Sequence, residues 1–308
     1  MNGSNGVVKF DKKEHHFFAS PKTKIESIQL AHPLSVSLQI TRDCNLRCIY
    51  CSETDSMPNP PATIVKEMIR GLLGTKRIIV TGGEPLMRED LIEILKYVKE
   101  MQFESVSLAT NGTLVNPVIA ENLVDLVDYV DVTIDGPRKI HNEIRGDYDA
   151  VVKGIEMLSS VGVAFSVVTV LFNKNADSIL HICQMADVLG ATQLKIVTPI
   201  NKGRGKEVSS DTLSSEQLST TFEKIKSEKE RNGWMVRITL TDWSKVGEGH
   251  AILVHPSGDV VASPVPSQEK CFLLLGSILE ENIGSIWEKY PYKENHLRKY
   301  LGKTLYVC

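Results

Sequence analysis

The chain has 308 residues, of which 42% are hydrophobic and 24% are charged, and its formal net charge is −3. This composition is ordinary for a globular protein with a core of normal size, and it excludes a chain that is disordered throughout. The small negative charge gives no general attraction to nucleic acid or to an anionic membrane, so we expect neither as a partner.

Two features of the sequence argue against export or membrane insertion. The first residues, MNGSNGVVKFDKKEHH, contain no apolar run of the kind that signal peptides have. The most apolar stretch, VGVAFSVVTVLF at 161–172, is too short to span a bilayer and is typical of a buried strand. We therefore expect a cytoplasmic protein, in which clustered cysteines favour metal binding over disulfides.

Strand-like and helix-like segments alternate along most of the chain. The predicted strands are residues 32–41, 76–80, 105–109, 129–134, 163–172 and 193–197. The predicted helices lie near residues 62–73, 88–101, 117–128, 148–160, 176–189 and 214–231. Short apolar strands that are each followed by a helix predict an α/β fold with a parallel sheet. Six such units are too few to close an eight-unit barrel, which leaves a partial (β/α)6 barrel of TIM type or an open sheet.

The character of the sequence changes after PINKGRGK at 199–206, a connector rich in glycine and basic residues. Beyond it, MVRITL and AILVHPSGDVVAS are short predicted strands, the second a hairpin that turns at Ser257 and Gly258, and a short helix follows near IGSIWEKY. We predict three regions: an N-terminal arm at 1–34, an α/β core at 35–232 and a small α+β C-terminal extension at 233–308.

Three of the six cysteines, Cys44, Cys48 and Cys51, lie within eight positions directly after the first predicted strand. Closed zinc sites take four ligands, and no second CxxC follows in this sequence. A [4Fe–4S] cluster also takes four ligands, so three thiolates would leave one iron open to a ligand from outside the chain. A structural zinc site is the alternative.

The next strand ends in a second candidate loop, TGGEP at 81–85. Gly82 and Gly83 would allow close approach of the backbone to a ligand, and Glu84 offers a carboxylate to an ammonium group. An ordinary glycine turn is the alternative for this loop.

CxxxCxxC after a first strand, followed by GGEP after the second, resembles the radical SAM superfamily. The resemblance implies a partial barrel with one [4Fe–4S] cluster on Cys44, Cys48 and Cys51. It also implies that S-adenosyl-L-methionine (SAM) binds with its methionine amine at the loop formed by Gly82, Gly83, Glu84 and Pro85.

The same resemblance assigns roles at three other strand ends. Tyr50 stands where members place an aromatic residue on the adenine, with core packing as its alternative. Thr110 and Asn111 belong to a polar loop near the cofactor. TIDGPRKIHNEIRG at 133–146 resembles a segment of peptide-modifying members. In that segment Asp135 would accept hydrogen bonds from the ribose hydroxyls of SAM, and Arg145 would pair with its methionine carboxylate. A turn at Asp135 and a surface ion pair at Arg145 are the alternatives.

For members of this superfamily, the reduced cluster passes one electron to the sulfonium, and the C5′–S bond breaks. The resulting 5′-deoxyadenosyl radical abstracts hydrogen from the substrate. The resemblance thus implies modification, epimerisation or dehydrogenation of a peptide or small molecule, with an electron donor such as flavodoxin or ferredoxin. The arm at 1–34 is too short to fold as a leader-peptide domain, so a peptide would need a separate recognition protein or a site under the extension. A non-catalytic zinc or iron–sulfur protein is the alternative function.

The extension resembles the SPASM/twitch type, but most of its expected cysteines are missing. Ser263 and Glu281 occupy positions where that pattern has cysteine, and only Cys271 and Cys308 remain. We therefore expect a substrate cover without an auxiliary cluster. Cys271 is a candidate catalytic thiol that returns a hydrogen atom to the substrate, with packing as a small apolar residue as its alternative.

Overall fold

The computed structural model describes residues 2–3, 6–11, 16–21, 30–243, 251–263, 272–291 and 305–308. The arm contains three antiparallel strands that the sequence pattern did not indicate. They are β1 (Asn2–Gly3), β2 (Gly6–Asp11) and β3 (His16–Pro21), paired in that order.

The six predicted strands form the centre of one large sheet. They are β4 (Ser35–Gln39), β5 (Arg77–Thr81), β6 (Ser105–Thr110), β7 (Tyr129–Thr133), β8 (Phe165–Val170) and β9 (Gln193–Val197). They lie side by side in chain order, and every neighbouring pair is parallel. The sheet is therefore built from successive β/α units, as the alternating sequence pattern predicts.

Helices connect these strands. The described α-helices are α1 (Ala62–Gly71), α2 (Leu91–Glu100), α3 (Pro117–Leu123), α4 (Arg138–Ile144), α5 (Tyr148–Ser160), α6 (Asn173–Ala176), α7 (Ile179–Val188), α8 (Ser215–Asn232) and α9 (Ile283–Glu288). The predicted helices are all present, although α1, α2, α3 and α7 are shorter than predicted. The short helices α4 and α6 follow β7 and β8 and were not predicted. None of the described helices has the length and apolar character to cross a lipid bilayer.

The strands after α8 join both edges of this sheet. On one side β10 (Arg237–Thr241) pairs parallel with β9, and β14 (Leu305–Val307) pairs antiparallel with β10. On the other side β11 (Ala251–Val254) pairs parallel with β4, and β12 (Asp259–Ala262) and β13 (Leu273–Ser277) follow in antiparallel order. The eleven described strands make an open α/β sheet of the predicted partial-barrel type, with β13 and β14 at its two ends.

The boundary predicted at 233 falls between α8 and β10, and β10 belongs to the same sheet as the strands of the core. The described part of the extension is not a separate layer, because β11 hydrogen-bonds to the first strand of the core. A hairpin does form, with Gly258 in its turn at a φ of 90°.

The two faces of the sheet differ in chemistry. Alternate residues of β4 to β10 belong to the hydrophobic core: Val36, Leu38, Ile78, Val80, Val106, Leu108, Val130, Val132, Val167, Leu194, Ile196, Ile238 and Leu240. The intervening rows carry buried polar side chains: Ser35, Gln39, Ser105, Ser107, Asp131, Ser166, Gln193 and Thr239. Closed barrels fill this inner side with bulky branched residues. This chain instead keeps a polar inner face, which suits a binding surface better than a packed core.

The last described helix is anchored to the segment that precedes β4. In α9, Trp287 is 1% exposed, stacks on Tyr290 at 4.5 Å between ring centroids, and donates from Nε1 to the carbonyl oxygen of Leu30 at 2.9 Å. A buried carbonyl that loses its donor destabilises the fold. This indole therefore joins the extension to the segment that precedes β4.

We predict that Trp287→Phe lowers the free energy of unfolding of the whole chain by about 1–3 kcal/mol, because Leu30 loses its buried donor. Chemical denaturation followed by circular dichroism measures the effect. Trp234→Phe, at a half-buried position, is the control and should change it by less than about 0.5 kcal/mol. A new early transition confined to part of the structure would show instead that the extension unfolds as an independent domain.

Candidate functional site

The polar loops picked out in the sequence meet at one edge of the sheet. The cysteine loop follows β4, the GGEP loop follows β5, the TNG loop follows β6, and Asp135 follows β7. Since these strands are parallel, their carboxyl ends lie together, where α/β proteins place their ligands. The structure thus brings the predicted residues into one region.

The three thiols of the cysteine loop are free and differ in exposure. Cys44 is exposed, Cys48 is buried and Cys51 is half-buried. Burial, and to a smaller extent the neighbouring thiols, raises the pKa of Cys44 and of Cys48, which places the three sulfurs in one electrostatic group. In the part of the chain that the structure describes, no three His, Cys, Asp or Glu side chains are placed to hold a single ion. In an iron–sulfur cluster each thiolate binds a different iron atom, so a cluster does not require three side chains around a single ion.

The two glycines of the GGEP loop allow contact with the cysteine loop. Gly83 N–H donates to the Thr41 carbonyl oxygen at 2.8 Å, and Glu84 N–H donates to that of Asp43 at 2.7 Å. A Cβ on Gly83 would lie 2.2 Å from the Asp43 carbonyl oxygen, and one on Gly82 would lie 2.5 Å from that of Thr41. The sequence pattern predicts a ligand-facing role for these glycines. The structure shows that they also bring two loop backbones together.

Glu84 is fully buried at the centre of the site. Its carboxylate accepts from Thr110 Oγ1 at 2.7 Å, from Asn111 N–H at 2.6 Å and from Leu86 N–H at 3.0 Å. The last bond caps the short 3-10 helix that begins at Pro85. Burial raises the pKa of Glu84, although its three hydrogen bonds oppose that shift. The GGEP and TNG loops are therefore joined through one carboxylate.

Tyr50, Asp135 and Arg145 form a buried hydrogen-bonded group. The Tyr50 hydroxyl donates to Asp135 Oδ2 at 2.5 Å and accepts from Arg145 Nη1 at 2.5 Å, and the Arg145–Asp135 ion pair measures 3.7 Å. The other oxygen of Asp135 accepts from Val170 N–H at 2.7 Å and from Thr169 Oγ1 at 3.2 Å. Arg145 thus forms a buried ion pair with Asp135 rather than a surface ion pair. Both carboxylate oxygens of Asp135 accept hydrogen bonds from protein groups, and its ribose role stays a prediction.

Two residues that position Asp135 were not assigned a role from the sequence. His141 Nδ1 accepts from the Asp135 backbone N–H at 3.2 Å, and burial lowers the pKa of His141 to about 4, so its ring is neutral. Asn175 donates to the carbonyl oxygens of Asp135 and Val170 at 3.0 and 2.9 Å. His141 lies in the quoted motif, whereas nothing near Asn175 in the sequence marks it.

The site carries groups that suit a cluster and a bound amino acid. Three free thiols are donors that iron–sulfur clusters use. Glu84 has no described ion-pair partner, and Arg145 Nε is buried without a hydrogen-bond acceptor. Both charges act on the pKa of Cys44, so both lie near that sulfur. A ligand with an ammonium and a carboxylate group would complement Glu84 and Arg145, so the residues fit the methionine end of SAM.

Comparison with known proteins identifies the domain that contains this site. Residues 38–186 match the family model described as the radical SAM superfamily. These residues form a radical SAM domain. The match covers the cysteine, GGEP and TNG loops together with Asp135 and Arg145.

Curated relatives of this chain fall into several enzyme classes. The AdoMet-dependent heme synthase of Methanosarcina barkeri is 33% identical over 186 residues, which are 57% of this chain and 53% of that protein. The mycofactocin maturase MftC of Mycolicibacterium smegmatis is 27% identical over 282 residues, which are 83% of this chain and 70% of that protein. The chain spans about half the length of the first curated relatives that it matches.

A solved structure agrees with the fold. Streptococcus suis SuiB, bound to its precursor peptide SuiA, has a TM-score of 0.73 and 14% sequence identity, covering 86% of this chain and 66% of that chain. These comparisons support the radical SAM class and give no support to the alternative of a non-catalytic zinc or iron–sulfur protein.

The candidate residues of the extension are only partly described. Cys271 lies outside the described residues, so its role as a hydrogen donor stays a prediction. Ser263 is half-buried, and Glu281 pairs with Lys289. Cys183 is buried in α7, as core packing predicts, and burial raises its pKa to about 12.

We predict that Gly83→Ala separates the cysteine and GGEP loops, because the backbone carbonyls of Arg42 and Asp43 lie within 2.5 Å of the added Cβ. Iron bound after anaerobic reconstitution should fall severalfold, and the free energy of unfolding should drop by about 1–3 kcal/mol. Gly162→Ala is the matched control: its φ of 78° strains the variant, but nothing lies within 4 Å. It should lose stability and keep its iron. Equal iron in Gly83→Ala and the wild type would contradict the prediction.

We predict that Glu84→Gln weakens SAM binding by about 10- to 100-fold, because a charge-assisted hydrogen bond to the ammonium is lost. The raised pKa of Glu84 means that the wild type should lose affinity on acidification at a higher pH than an ordinary glutamate would allow. Glu84→Gln should lack this pH dependence.

Equilibrium dialysis of reconstituted protein with SAM across the acidic range measures both effects. The exposed Glu89→Gln, in the same loop, should bind as the wild type does. An unchanged pH profile in Glu84→Gln would rule out Glu84 as the ammonium partner.

Proposed function

We propose that this chain is a radical SAM enzyme that abstracts hydrogen from a peptide or small-molecule substrate. Cys44, Cys48 and Cys51 would hold one [4Fe–4S] cluster. The residues that would bind SAM are Tyr50, Gly82, Gly83, Glu84, Pro85, Thr110, Asn111, Asp135 and Arg145. The observation that carries the proposal is the buried carboxylate of Glu84, which forms no ion pair in the described structure and whose charge raises the pKa of the Cys44 thiol.

When bound, a reduced cluster supplies the electron for reductive cleavage of SAM, and hydrogen abstraction from the substrate follows from it. The protein's own part is to hold groups in place and to keep water away. Asp135 and Glu84 are inaccessible to solvent, and Tyr50 is 9% exposed. An electrostatic interaction in such an enclosed place is stronger than the same interaction in water.

Arg145 is the positive charge that opposes burial at the cysteine loop. Burial raises the pKa of Cys44 and of Cys48, and for Cys44 the charges of Glu84 and Cys51 add to that shift, whereas Arg145 lowers the pKa of both thiols and so acts in favour of the thiolates that bind iron. Burial acts against the charge of Arg145 itself. Tyr50, Cys48 and Asp135 outweigh that effect and raise its pKa, so its cation persists at any working pH. Glu84 would bind the ammonium group of an amino acid and Arg145 would bind its carboxylate, so the two residues together would orient it.

The substrate is proposed to be polar, because the inner face of the sheet carries buried polar side chains. Among these, Gln39 Oε1, Ser107 Oγ and Ser166 Oγ have no partner within the described structure. The MftC alignment extends over more of both chains than the heme synthase alignment, which favours a maturase-like reaction on a peptide. A small-molecule substrate is the other possibility that the proposal retains.

Partners follow from the same proposal. The electron is proposed to come from flavodoxin or ferredoxin, and a peptide substrate would be delivered by a separate recognition protein or bind directly. We propose the cytoplasm as the location. Because Ser263 and Glu281 replace expected cysteines, we also propose that the chain carries one cluster and no auxiliary cluster.

We predict that anaerobically reconstituted protein binds about four iron atoms per chain and releases 5′-deoxyadenosine when SAM and dithionite are added. Cys48→Ala should lose both the iron and the release, because one of three cluster ligands is gone. Cys183→Ala, at a buried site in α7, is the matched control and should retain both.

Iron analysis, visible absorption and chromatography of the nucleoside give the readouts. A colourless protein that binds zinc and releases no 5′-deoxyadenosine would contradict the proposed function. Clearly more than four iron atoms per chain would leave the function intact and overturn the single-cluster proposal.

A further inference from the structure

The loop that follows β9 lies across the cysteine loop. Arg204 N–H donates to the Cys51 carbonyl oxygen at 2.9 Å, and Arg204 Nε donates to the Cys48 carbonyl oxygen at 2.8 Å. One residue therefore holds the backbone beside two of the three thiols. The composition of this segment, NKGRGK at 201–206, predicts only a connector between regions.

Two glycines bring the loops into contact. A Cβ on Gly203 would lie 2.7 Å from the carbonyl oxygens of Cys51 and Ser52, and the φ of Gly203 is 56°. A Cβ on Gly205 would lie 3.2 Å from the Tyr50 carbonyl oxygen. Both the space and the backbone conformation at 203 require glycine, since a left-handed φ strains other residues. The segment is thus shaped to the cysteine loop.

A group of buried charges joins the same two loops. Arg42 precedes the cysteines, Glu53 follows them, and their side chains form an ion pair that closes the ends of the cysteine loop. Lys202 also pairs with Glu53, at 2.6 Å. The three side chains are 4%, 13% and 12% exposed.

The cysteine loop has little order of its own. Residues 40–48 and 51–61 contain no helix or strand, and 49–50 form only a turn. One described backbone bond within the loop runs from Cys51 N–H to the Cys48 carbonyl oxygen, at 3.3 Å. Ordering a loop of this kind costs conformational entropy. If another segment has already ordered it, ligand binding does not bear that cost.

We propose that Lys202–Gly205 is a brace that orders the cysteine loop for cluster binding, with Arg204 as its positioning residue. The inference rests on the proposed function, because it assumes a cluster on Cys44, Cys48 and Cys51. Arg204 acts through the backbone of Cys48 and Cys51 and does not itself ligate iron. Lys202 and Glu53 fix the same loop at its far end.

Arg204→Met tests the brace. It keeps the aliphatic stem and the backbone bond to Cys51 but removes the Nε donor to Cys48. Hydrogen exchange of amides 44–53, measured with and without reconstituted cluster, should be faster in the variant. Loss of iron to a chelator such as EDTA should be about 10-fold faster, as for other residues that orient metal ligands. The electron paramagnetic resonance spectrum of the reduced cluster should change.

Arg204→Lys, which keeps a donor and a positive charge, should recover part of the protection. Arg231→Met, on the exposed face of α8, is the matched control and should resemble the wild type in all three measurements. If Arg204→Met does not fold, Lys202→Met gives the same test at the other contact. Wild-type exchange and wild-type chelation rates in Arg204→Met, or in Lys202→Met used in its place, would overturn the brace.

These readouts separate the two proposals. A wild-type protein that assembles a cluster but releases no 5′-deoxyadenosine would contradict the proposed function and leave the brace supported by exchange and chelation. A protein that cleaves SAM, yet whose Arg204→Met variant protects amides 44–53 and retains iron normally, would contradict the brace alone.

Discussion

The structure depends on the contact between two loop backbones at the ends of β4 and β5. Gly83 and Glu84 donate their N–H groups to carbonyls of the segment that leads into the cysteines. Any side chain at Gly83 would overlap that segment. The contact fixes the Glu84 carboxylate beside the thiol of Cys44, and it therefore fixes the relation between a cluster and the amine that would chelate it. The close contact between the two main chains sets the position of Glu84 relative to the cysteines, and the charges of the site act in that fixed geometry.

Two buried charges of opposite sign, Glu84 and Arg145, distinguish the two ends of the site. Glu84 is buried and forms no ion pair in the described structure, although the charge of Arg145 lowers its pKa, and Arg145 has a buried Nε without an acceptor. Tyr50 accepts a hydrogen bond from Arg145 Nη1, and Asp135 lies 3.7 Å from the same nitrogen, so these two residues hold that end of the guanidinium in place. A buried polar or charged group that lacks a hydrogen-bond or ion-pair partner reduces the stability of a protein. The presence of such groups at a strand end is best explained by a ligand that completes them.

Sequence reasoning located the groups that are close together along the chain. CxxxCxxC, GGEP and the TNG and DGP segments each lie within one loop, so spacing and residue type were enough to indicate them. The six β/α units were predicted for the same reason, since period and strand length are local signals. Partners distant in sequence were not predicted. Nothing in the composition of 199–206 indicates that Arg204 donates to Cys48, or that Lys202 pairs with Glu53. The antiparallel arm strands were missed because the polar segment shows no clear alternation.

The pairing of β11 with β4 decides what the extension can do. That register places His255, directly after β11, beside the residues that follow β4, and the charge of Arg42 adds to burial in lowering the pKa of His255 to about 4. Phe272 contacts this neutral ring at 6.1 Å between centroids and lies 5.2 Å from the Lys202 ammonium group. The hairpin and Phe272, directly before β13, thus lie against Lys202 of the brace and near Arg42 of the cysteine loop. An appendage attached only through a linker would have no such contacts. Because β11 hydrogen-bonds to β4, the strand that leads into the cysteine loop, the extension is part of the structure that supports this loop.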